Sequence, residues 1–327
     1  MKSFAFAAIA AVASARISTE TDFQFINYIA QHSKSYADWE EFSIRLERFR
    51  AIDADIKEFN ATEESSVHGH NFLSDWTAEE KTRLMGLKNM ARPQKEVVEA
   101  VEIVGIPTTV DWVTAGNYVN PVQNQGSCGS CWAFAAAATM ESAHAIFHSG
   151  LIKLSEQNFV SCSGLQGNNG CNGGLQQYAW NYSKSHPIET EANYPYTSGT
   201  LGITGSCKYN SSLGVMSATS HTSVGTTTAA IKTAIYKQPQ SVSIEADTSY
   251  FQSYTSGVLT NASKCGSNLD HAVTAVGYGV DSTYGGYYLV RNSWGASWGE
   301  SGYVKIGQAA GNGVCGINED VKYPNVN

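Results

Sequence analysis

The sequence predicts an α+β protein in which helices come first along the chain and strands come later. Three observations predict this fold class. Apolar residues recur at steps of three and four between residues 20 and 60, and an Ala-rich run covers residues 131–148. Short β-branched or aromatic runs, separated by Gly and Ser, follow residue 215. The 327 residues, 42% of them hydrophobic, can form a sizeable core in one large domain or two ordinary ones.

The first fifteen residues have the features of a secretory signal peptide. Lys2 supplies a positive charge, Phe4 to Val12 form a short apolar run, and Ala13-Ser14-Ala15 is a small-x-small cleavage site. The apolar run is too short to cross a bilayer, and no other stretch reaches that length. A buried N-terminal helix is the alternative interpretation. We therefore expect residues 1–15 to direct the chain into the secretory pathway, without a membrane span.

The charge balance argues against nucleic acid as a partner. The formal net charge is −8, and no basic patch is visible that could neutralise phosphates. Charged residues make up only 15% of the chain, whereas Gly and Tyr are plentiful. Four Asn-x-Ser/Thr sequons fit secretion, although each is a weak signal alone; they begin at Asn60, Asn181, Asn210 and Asn261.

Each element is predicted from its local pattern. The first helical region carries Trp39, Phe42, Leu46, Phe49, Ile52, Ile56 and Phe59 on one face, and Glu41 can pair with Arg45 on it. After Asp75 the chain stays polar and loses definition, and residues 88–106 resemble an exposed linker open to cleavage. A further helix is expected to begin near Ser155, whose hydroxyl can cap it. The strand-like runs are SVSIEA, HAVTAVGYG, GYYLVRNSW and GYVKIG.

The segment QGSCGSCWAF, residues 125–134, holds two of seven cysteines, which leaves one cysteine over if the other six pair. Six paired cysteines allow 15 connectivities, so composition alone does not identify the free thiol. A C-x-x-C redox pair is disfavoured because no βαβ unit surrounds the motif. A structural zinc site is disfavoured because no second close pair of ligands is present, Cys162 and Cys171 being too far apart.

A nucleophilic thiol explains the segment better. Cys131 opens the Ala-rich helix, and a helix N-terminus favours the thiolate form. A thiolate nucleophile needs an imidazole partner that is itself oriented by a third group. His271 opens a strand-like run directly after Asp270, and Asn292 lies in RNSWGASWG, two residues before Trp294. Each of these residues alone is more often structural, whereas the set together indicates a catalytic site.

With QGSCGSCWAF, GCNGG, DHAV, GYG and NSWGxxWGExGY in order, the chain resembles the papain-like cysteine proteases, most closely those of the cathepsin L type. That family has the signature C-G-[SA]-C-[WY], with His and Asn roughly 130–150 residues downstream. His271 fits this spacing, and Asn292 lies slightly farther, which an inserted loop at residues 279–286 can explain. The similarity runs from about residue 20 to the C-terminus.

The resemblance implies a two-subdomain fold with the active-site cleft between the subdomains. By this resemblance, residues 16–105 are an inhibitory, mostly helical propeptide, and the mature peptidase covers residues 106–327. Its helical subdomain would cover about 106–214 and its β-barrel-like subdomain 215–327. The chain would be a zymogen of a thiol-dependent endopeptidase, activated by removal of the propeptide.

The resemblance also implies the role of each catalytic residue. Cys131 would be the nucleophile, forming an acyl-enzyme, and His271 the base that later protonates the leaving amine. Asn292 would orient His271, and Trp294 would shield that contact from water. Gln125 would donate its side-chain amide to the oxyanion, beside the backbone N–H of Cys131. No metal and no cofactor is implied.

The implied substrate-binding residues line the cleft and a second specificity pocket. They are Gly173, Gly174, Leu175, Gln176, Ser243, Leu269, Asp270, Trp294 and Asp320. The two glycines would let a substrate backbone approach closely. The leucines favour an apolar side chain in the second pocket, while Asp320 at its far end could accept Arg. The alternative is that Asp320 is a solvated surface acid beside Glu319.

By the same resemblance, the disulfides would join Cys128 to Cys171, Cys162 to Cys207, and Cys265 to Cys315, leaving Cys131 free. The propeptide pattern of the family is present in Glu41, Arg45, Phe49, Ile56 and Asn60, but Ile52 stands where Asn is usual. A second pattern appears as Gly69, Asn71, Leu73 and Asp75, with Leu in place of Phe. We expect acid to protonate Asp75 and neighbouring carboxylates and so to loosen the propeptide.

Competing functions have weaker support. A transglutaminase would orient its His with a carboxylate rather than Asn292, and an inactive binding or storage relative would usually lack the nucleophile. The G-x-G-x-x-G match at residues 311–316 precedes no helix pattern, so a dinucleotide site is not expected. No insertion that could block the cleft appears between Gln125 and Gly174, which favours an endopeptidase over an exopeptidase. The expected enzyme is a monomer in a lysosome-like acidic vacuole or secreted, acting on proteins and peptides and open to cystatin-type inhibitors.

Overall fold

The computed structural model of the protein describes residues 19–88, 90–91, 103–148 and 150–327. The predicted signal peptide, residues 1–15, and most of the predicted linker lie outside the described residues.

The first described segment folds as two helices with an apolar contact between them. Helix α1 covers Glu20–Gln31 and helix α2 covers Trp39–Thr62, each capped at its N-terminus by a side chain, Thr19 and Asp38 respectively. The prediction of helix over residues 20 to 60 is therefore wrong for residues 32–38, where the chain turns. Aromatic and aliphatic side chains fill the contact: Phe25, Tyr28, Leu46 and Phe49.

The segment that follows α2 contains a short strand and a short helix and packs against the rest of the protein. Strand β1, Ser66–His68, pairs antiparallel with residues Tyr254–Leu259, and the short helix α3 covers Ala78–Thr82. The four residues 84–87 are buried. The expectation that the chain loses definition after Asp75 is therefore wrong, because this segment packs into the protein rather than over its surface.

The helical half follows. After the two-residue strand β2, Val110–Asp111, it contains helices α4 (Cys131–Phe147), α5 (Glu156–Cys162), α6 (Gln176–Ser183) and α7 (Ser198–Leu201), with the strand pair β3 (Ile188–Glu189) and β4 (Gly214–Met216). Every residue of α4 from Cys131 to Ala143 is buried. Small alanines let neighbouring elements pack closely around this central helix, which explains its composition. Ser155 caps α5 as predicted, accepting from the Asn158 N–H at 2.9 Å.

The second half is built on a sheet. It contains β5 (Ala218–Ser223), α8 (Thr228–Lys237), β6 (Gln240–Ile244), α9 (Ser249–Gln252), β7 (Tyr254–Leu259), α10 (Ala262–Cys265), β8 (His271–Asp281), β9 (Gly285–Arg291), β10 (Tyr303–Gly307) and β11 (Val321–Val326). The four strand-like sequence runs correspond to β6, β8, β9 and β10. Helix α8 was not predicted, because its apolar residues follow a polar run of three threonines.

The strands form one open path in the order β1-β7-β10-β9-β8-β6-β11-β5, and β2 pairs with β8 at the side. Within the described residues the path does not close into a barrel, so the β-barrel-like description holds only loosely. Strand β8 lies in the middle of the sheet and is buried over most of its length. Its first residue, His271, is thereby placed at the edge that faces the helical half.

Each half has its own apolar core. Each core is also contacted by a segment that lies with the other half along the sequence. Ile106 and Val110 pack against the core of the β-rich half, although the sequence places them with the helical half. Val326 packs against the core of the helical half. The C-terminal strand β11 and the stretch 106–110 therefore join the two halves and fix the cleft between them.

The structure contains three disulfides, Cys128–Cys171, Cys162–Cys207 and Cys265–Cys315. These are the pairs that the resemblance implies, and Cys131 is the remaining free thiol. Among the described helices, none combines the length and the apolar character that crossing a membrane requires.

Candidate active site

Cys131 is the first residue of α4 and is fully buried. The N-cap residue Ser130 does not use its hydroxyl to cap the helix, and instead its Oγ lies 2.8 Å from the Tyr196 hydroxyl. The backbone N–H groups of the first turn are therefore not bonded to a capping side chain, and the positive end of the helix dipole lies at the thiol. This position favours a thiolate once the sulfur can exchange its buried surroundings for a polar partner.

His271 begins β8 and is also fully buried. Its Nε2 donates a hydrogen bond to Oδ1 of Asn292 at 2.8 Å. The same oxygen accepts the Ser293 backbone N–H at 2.8 Å, so the carbonyl end of the amide is fixed towards the ring. With Nε2 protonated, Nδ1 is the nitrogen that can take a proton, and it makes no hydrogen bond within the described part of the chain.

Trp294 covers the His271–Asn292 contact. The indole and imidazole centroids lie 4.9 Å apart, and Trp294 also contacts Phe251 and Trp298 edge-on. These rings are buried, and together they exclude water from the hydrogen bond that orients the imidazole. The structure thus places Trp294 where the sequence predicted a shield.

Gln125 lies in the loop before Cys131 and is completely buried. Its Oε1 accepts from the Ser293 hydroxyl at 2.8 Å, which fixes the amide so that Nε2 points into the cleft. Nε2 donates to two carbonyl oxygens, that of Cys128 at 2.9 Å and that of Leu84 at 3.1 Å. A side-chain donor is therefore already bonded to a peptide carbonyl beside the thiol.

The Leu84 carbonyl belongs to a segment, residues 83–88, that crosses the cleft. Beyond it, the Gly86 carbonyl accepts from the Gly174 N–H at 3.0 Å, and the Leu87 N–H donates to the Asp270 carbonyl at 2.9 Å. The cleft thus holds a main chain by backbone hydrogen bonds from both halves. The sequence did not predict this contact, since its only local signal is a short apolar run, Leu84 to Leu87, beside the predicted linker.

Gly86 lies against Cys131 at the narrowest point. A Cβ atom at this position would lie 2.9 Å from the Cys131 sulfur and 2.3 Å from the Gly129 carbonyl oxygen, so only Gly fits. Gly173 allows the approach from the other side, because its own Cβ would lie 2.5 Å from the Gly86 oxygen. The prediction that Gly173 and Gly174 lie at the cleft agrees with this placement.

Burial holds both reacting groups in their neutral forms in this state. It raises the pKa of the Cys131 thiol to about 12, although backbone N–H groups, including that of Ala272, act in the opposite direction. Burial lowers the pKa of His271 to about 4, opposed by the Asn292 hydrogen bond. A neutral thiol is a poor nucleophile, so the covered site is unreactive.

The predicted second pocket lies beside this track. Leu175 packs in the same apolar cluster as Leu87 and Ala272, and Leu269 shares a cavity with Leu87. Gln176, the first residue of α6, is buried next to Leu175. Ser243 lies opposite Ala272 in the β6–β8 pair. The propeptide side chain Leu87 therefore occupies the space that the sequence assigned to a substrate side chain.

Asp320 has partners that the sequence did not indicate. The Ser243 hydroxyl donates to one carboxylate oxygen at 2.7 Å, and the Lys322 ammonium pairs with the other. Both side chains of the ion pair are largely buried. The interpretation of Asp320 as a solvated surface acid is therefore wrong. In the described residues no group of three or more His, Cys, Asp or Glu side chains has the arrangement of a metal site.

Comparisons with known proteins agree with this geometry. Two family models match the chain, "Papain family cysteine protease" over residues 106–325 and "Cathepsin propeptide inhibitor domain (I29)" over residues 25–80. The chain is 36% identical over 315 residues to cathepsin L2 of Homo sapiens, covering 93% of this chain and 92% of that protein. It is 42% identical over 248 residues to germination-specific cysteine protease 1 of Arabidopsis thaliana, covering 74% of this chain and 63% of that protein.

Solved structures give the same result. The digestive procathepsin L 3 of Tenebrio molitor larval midgut superposes with a TM-score of 0.81 at 31% identity, covering 94% of this chain and 99% of that chain. The chain belongs to the papain family of cysteine proteases. It is a cathepsin L-like proenzyme that carries its inhibitor domain on the same chain, at its N-terminal side.

Proposed function

We propose that this protein cleaves peptide bonds within polypeptides through a Cys131 acyl-enzyme, and that residues 83–88 hold the site closed until the propeptide is removed. The observation that carries the proposal is the Gln125 amide bonded to the Leu84 carbonyl, with Gly86 against the Cys131 sulfur. A site that binds its own main chain in this way can bind a substrate main chain by the same donors and acceptors.

In the proposed reaction, His271 takes the thiol proton, and the Cys131 sulfur attacks the carbonyl carbon of the scissile bond. The carbonyl electron pair moves to oxygen, where Gln125 Nε2 and the Cys131 backbone N–H stabilise the negative charge. When the tetrahedral intermediate collapses, the C–N bond breaks and His271 donates its proton to the leaving amine. Water, deprotonated by His271, then hydrolyses the thioester and restores the free thiol.

Asn292 and Trp294 act on His271 rather than on the substrate. The Asn292 carbonyl accepts from Nε2, which keeps Nδ1 as the nitrogen that exchanges the proton with sulfur. Trp294 keeps water away from that bond. Both are positioning residues, and their loss is expected to disturb the ion pair more than substrate binding.

The propeptide path supports an endopeptidase. The main chain from Leu84 to Lys88 passes Cys131 and continues on both sides of it, so an extended polypeptide can occupy the cleft beyond the scissile bond in both directions. An exopeptidase requires an obstacle at one end of the cleft. The described residues between 125 and 174 supply disulfide-linked loops and helices but no insertion across the track.

Acid is proposed to release the propeptide. The Asp75 carboxylate is buried and accepts hydrogen bonds from Lys34 Nζ at 2.7 Å, from Tyr28 at 2.7 Å and from Tyr36 at 2.9 Å. Protonating Asp75 would remove the charge that Lys34 pairs with and would loosen the contact between the α1 and α2 helices and the following loop. The Asp75→Asn variant is therefore expected to mature at neutral pH. The matched control Asp55→Asn is expected to need acid, as the wild type does. A wild-type propeptide that is cleaved equally fast at neutral and mildly acid pH would overturn this part of the proposal.

The second pocket is proposed to prefer an apolar side chain. Leu87 of the propeptide already packs beside Leu175 there, and the charge of Asp320 is offset by Lys322. Arg at that substrate position would have to compete with a buried ammonium group for the carboxylate. Comparing Phe-Arg with Arg-Arg substrates tests the preference, and equal kcat/KM values for the two would contradict it.

The enzyme is further proposed to act as a monomer in a lysosome-like vacuole or after secretion, and to be inhibited by proteins of the cystatin type. The acidic composition is compatible with these assignments. Size-exclusion chromatography with light scattering of the processed protein tests the first, and a dimer would contradict it.

The whole proposal is tested by acid processing followed by a peptidase assay with an internally quenched peptide. Wild-type protein should cleave the peptide internally, and Cys131→Ala should not. A folded, processed wild-type protein that cleaves nothing would overturn the proposal in favour of an inactive binding protein.

A further inference from the structure

Tyr196 lies beside the loop that leads to Cys131, and the proposed mechanism gives it no part. It belongs to the segment between β3 and α7, on the helical half. Its hydroxyl donates to the Gln125 carbonyl at 2.8 Å and lies 2.8 Å from the Ser130 Oγ. One hydroxyl group therefore contacts both the residue that carries the side-chain oxyanion donor and the residue that precedes the nucleophile.

The direction of each hydrogen bond follows from the groups involved. A phenol has a single proton and a carbonyl oxygen can only accept, so the Tyr196 proton points to Gln125 and the Ser130 hydroxyl donates to the Tyr196 oxygen. The other acceptor near Ser130 Oγ, the Cys128 carbonyl, is 3.5 Å away, at the outer limit of a hydrogen bond. Burial raises the pKa of the Tyr196 hydroxyl, so it keeps its proton in neutral and acid solution.

Tyr196 is itself held in place at its ring and at its main chain. The ring packs edge-on against Phe134 with the centroids 4.9 Å apart, and Phe134 lies in the first turn of α4, three residues after Cys131. The backbone N–H of Tyr196 donates to Glu191 Oε1 at 2.8 Å. The hydroxyl thus has a fixed position relative to the start of the catalytic helix.

Gln125 is held from both halves of the protein. On the β-rich side, the Ser293 hydroxyl donates to its Oε1 and the Ser293 carbonyl accepts its backbone N–H, both at 2.8 Å. On the helical side, Tyr196 donates to its carbonyl. Without the Tyr196 hydroxyl, the hydrogen bonds that remain at the Gln125 main chain and Oε1 come from the β-rich half, within the described residues.

Ser130 governs the second oxyanion donor. Its carbonyl belongs to the same peptide group as the Cys131 N–H, and that carbonyl accepts from the N–H groups of Ala133 and Phe134 at 2.8 and 3.2 Å. Both donors, the Cys131 N–H and Gln125 Nε2, have to reach one oxygen atom at about 3 Å. A small change in their separation would therefore weaken at least one of the two hydrogen bonds to the oxyanion.

We propose that Tyr196 is a positioning residue of the oxyanion site, which fixes the separation of Gln125 Nε2 and the Cys131 N–H by bonding to both Gln125 and Ser130. This inference rests on the proposed function and adds to it a residue that acts through the two donors rather than on the substrate. It also explains why the serine at the N-cap position of α4 does not use its hydroxyl to cap the helix.

The test begins with Tyr196→Phe in the acid-processed enzyme, a change that keeps the ring and removes the hydroxyl. We expect kcat for an internally quenched peptide to fall on the order of tenfold, less than the 10²–10³ expected when a donor is lost outright. KM should change by less than about twofold, because the charge on the oxyanion exists only after the attack. The matched control is Tyr194→Phe, which removes a hydroxyl bonded to Ser206 and Lys208 instead.

A second measurement separates positioning from a general disturbance of the helix. A dipyridyl disulfide reacts with the Cys131 thiolate without forming an oxyanion, and the thiopyridone released counts the reactive thiols. Its rate should be the same in wild type, Tyr196→Phe and Tyr194→Phe. If kcat and this rate fall together, Tyr196 only supports the fold around the thiol, and the proposal is wrong.

A double substitution tests whether Tyr196 acts through the Gln125 donor. In a Gln125→Ala background, Tyr196→Phe should lower kcat by no more than about threefold, because the donor that it positions is already absent. A full tenfold effect in that background, or a kcat of Tyr196→Phe within twofold of wild type, would overturn the positioning role and leave the proposed function standing.

Ser130→Ala provides an independent variant should Tyr196→Phe fail to fold or mature. It removes the Ser130 donor while the bond from Tyr196 to Gln125 remains, so kcat should fall by about threefold to tenfold with an unchanged rate of thiol reaction. An unchanged kcat in Ser130→Ala would contradict the role of the hydrogen-bonded chain. A processed wild-type enzyme that cleaves no peptide although its thiol reacts would overturn the proposed function and this inference together.

Discussion

Gln125 illustrates how a single side chain links the covered and the active forms of the site. Its amide is fixed by Ser293 and donates to the Leu84 carbonyl. The same donor thus binds the propeptide in the proenzyme and would bind an oxyanion in the processed enzyme. In the proenzyme this donor contributes to binding alone. In the reaction it would stabilise a charge that exists only in the transition state, and that difference is what accelerates a reaction.

Replacing Gln125 with Ala is therefore expected to lower kcat by roughly 10²–10³, the usual loss for one oxyanion donor, with a small change in KM. Active-site titration with a thiol-directed inhibitor corrects for the fraction of folded enzyme. Because Ser293 only fixes the amide, Ser293→Ala serves as the milder comparison. A fall in kcat of less than tenfold would show that the Gln125 amide is not an oxyanion donor.

Lys322 is the residue expected to determine which substrate side chain the second pocket accepts. It pairs with Asp320 inside the protein, where the Ser243 hydroxyl also donates to the carboxylate. Lys322→Met removes the positive charge and keeps most of the apolar stem. The variant should raise the Arg-Arg to Phe-Arg ratio of kcat/KM on the order of tenfold, because the freed carboxylate can then bind guanidinium.

Adding Asp320→Ala to Lys322→Met should return that ratio to the wild-type value, which separates a change of pairing from general damage to the pocket. If the ratio does not move in Lys322→Met, the ion pair has no part in substrate choice.

At the scale of elements, the propeptide inhibits by two separate contacts. Strand β1 extends the sheet of the β-rich half by pairing with β7, and residues 83–88 cross the cleft. The first contact anchors the propeptide, and the second covers the thiol. The mature enzyme contributes backbone groups to both, so substitutions in the propeptide can test each contact without altering the enzyme.

Gly86→Ala tests the cleft contact. The added methyl group would meet the Gly129 carbonyl and the Cys131 sulfur, so the segment has to move away. We expect inhibition of the mature enzyme by the variant propeptide to weaken on the order of tenfold to a hundredfold, in line with the free-energy cost of overpacking. Gly69→Ala is the matched control, since its methyl group would meet only a Thr255 side chain. Equal inhibition constants for wild type and Gly86→Ala would contradict the close contact.

His68 tests the strand contact through pH. Its ring is buried, with Nδ1 3.0 Å from the Ser253 hydroxyl and Nε2 3.0 Å from the Ser66 hydroxyl. Burial lowers the pKa of His68 to about 4; Lys264 acts in the same direction and Glu63 in the opposite one. The Tyr250 ring lies 4.8 Å from the His68 ring at an angle of 31° and carries no charge at these pH values.

The sign follows from the lowered pKa. An undocked His68 titrates near 6.5, so between pH 6.5 and about 4 the undocked form binds more protons than the docked form. Docking is therefore fully favourable above pH 6.5 and weakens as the pH falls, by on the order of tenfold at pH 5. His68→Gln should flatten the pH dependence of propeptide binding between pH 6.5 and 5. His32→Gln should not, because His32 packs against Tyr28 within the propeptide, away from the β1–β7 contact. An unchanged profile in His68→Gln would contradict the role of His68.

At the scale of the whole molecule, the sequence predicts the main features of the fold and the catalytic residues. Cys131, His271 and Asn292 each lie in a short motif, and the order and spacing of these motifs define the family. The central helix was predictable from its alanines and the strands from their β-branched runs. These features are local or ordered along the chain, so they can be read without coordinates.

Other features depend on contacts between distant segments, and the sequence does not contain them in local form. The pairing of Lys322 with Asp320 and the fit of Gly86 against Cys131 both require the fold to be known. Helix α8 was missed because its threonine-rich start resembles a strand edge. The sequence did not predict that residues 106–110 pack against the β-rich half and Val326 against the helical half. These contacts depend on the topology of the chain rather than on its composition.

The central claim is that the propeptide keeps Cys131 covered and neutral, and that its removal produces a reactive thiolate. The most direct test is the rate at which a small epoxysuccinyl reagent labels the protein at pH 7, before and after acid processing, with the labelled residue located by peptide mass spectrometry. Cys131 is the free thiol among the seven cysteines, and Cys131→Ala is the control.

Because burial raises the pKa of Cys131 to about 12 in the proenzyme, almost none of the thiol is ionised at pH 7. The account predicts labelling at Cys131 alone, at least about a hundredfold faster after processing, with loss of peptidase activity. Equal labelling rates in the two forms, or labelling of another cysteine, would contradict it.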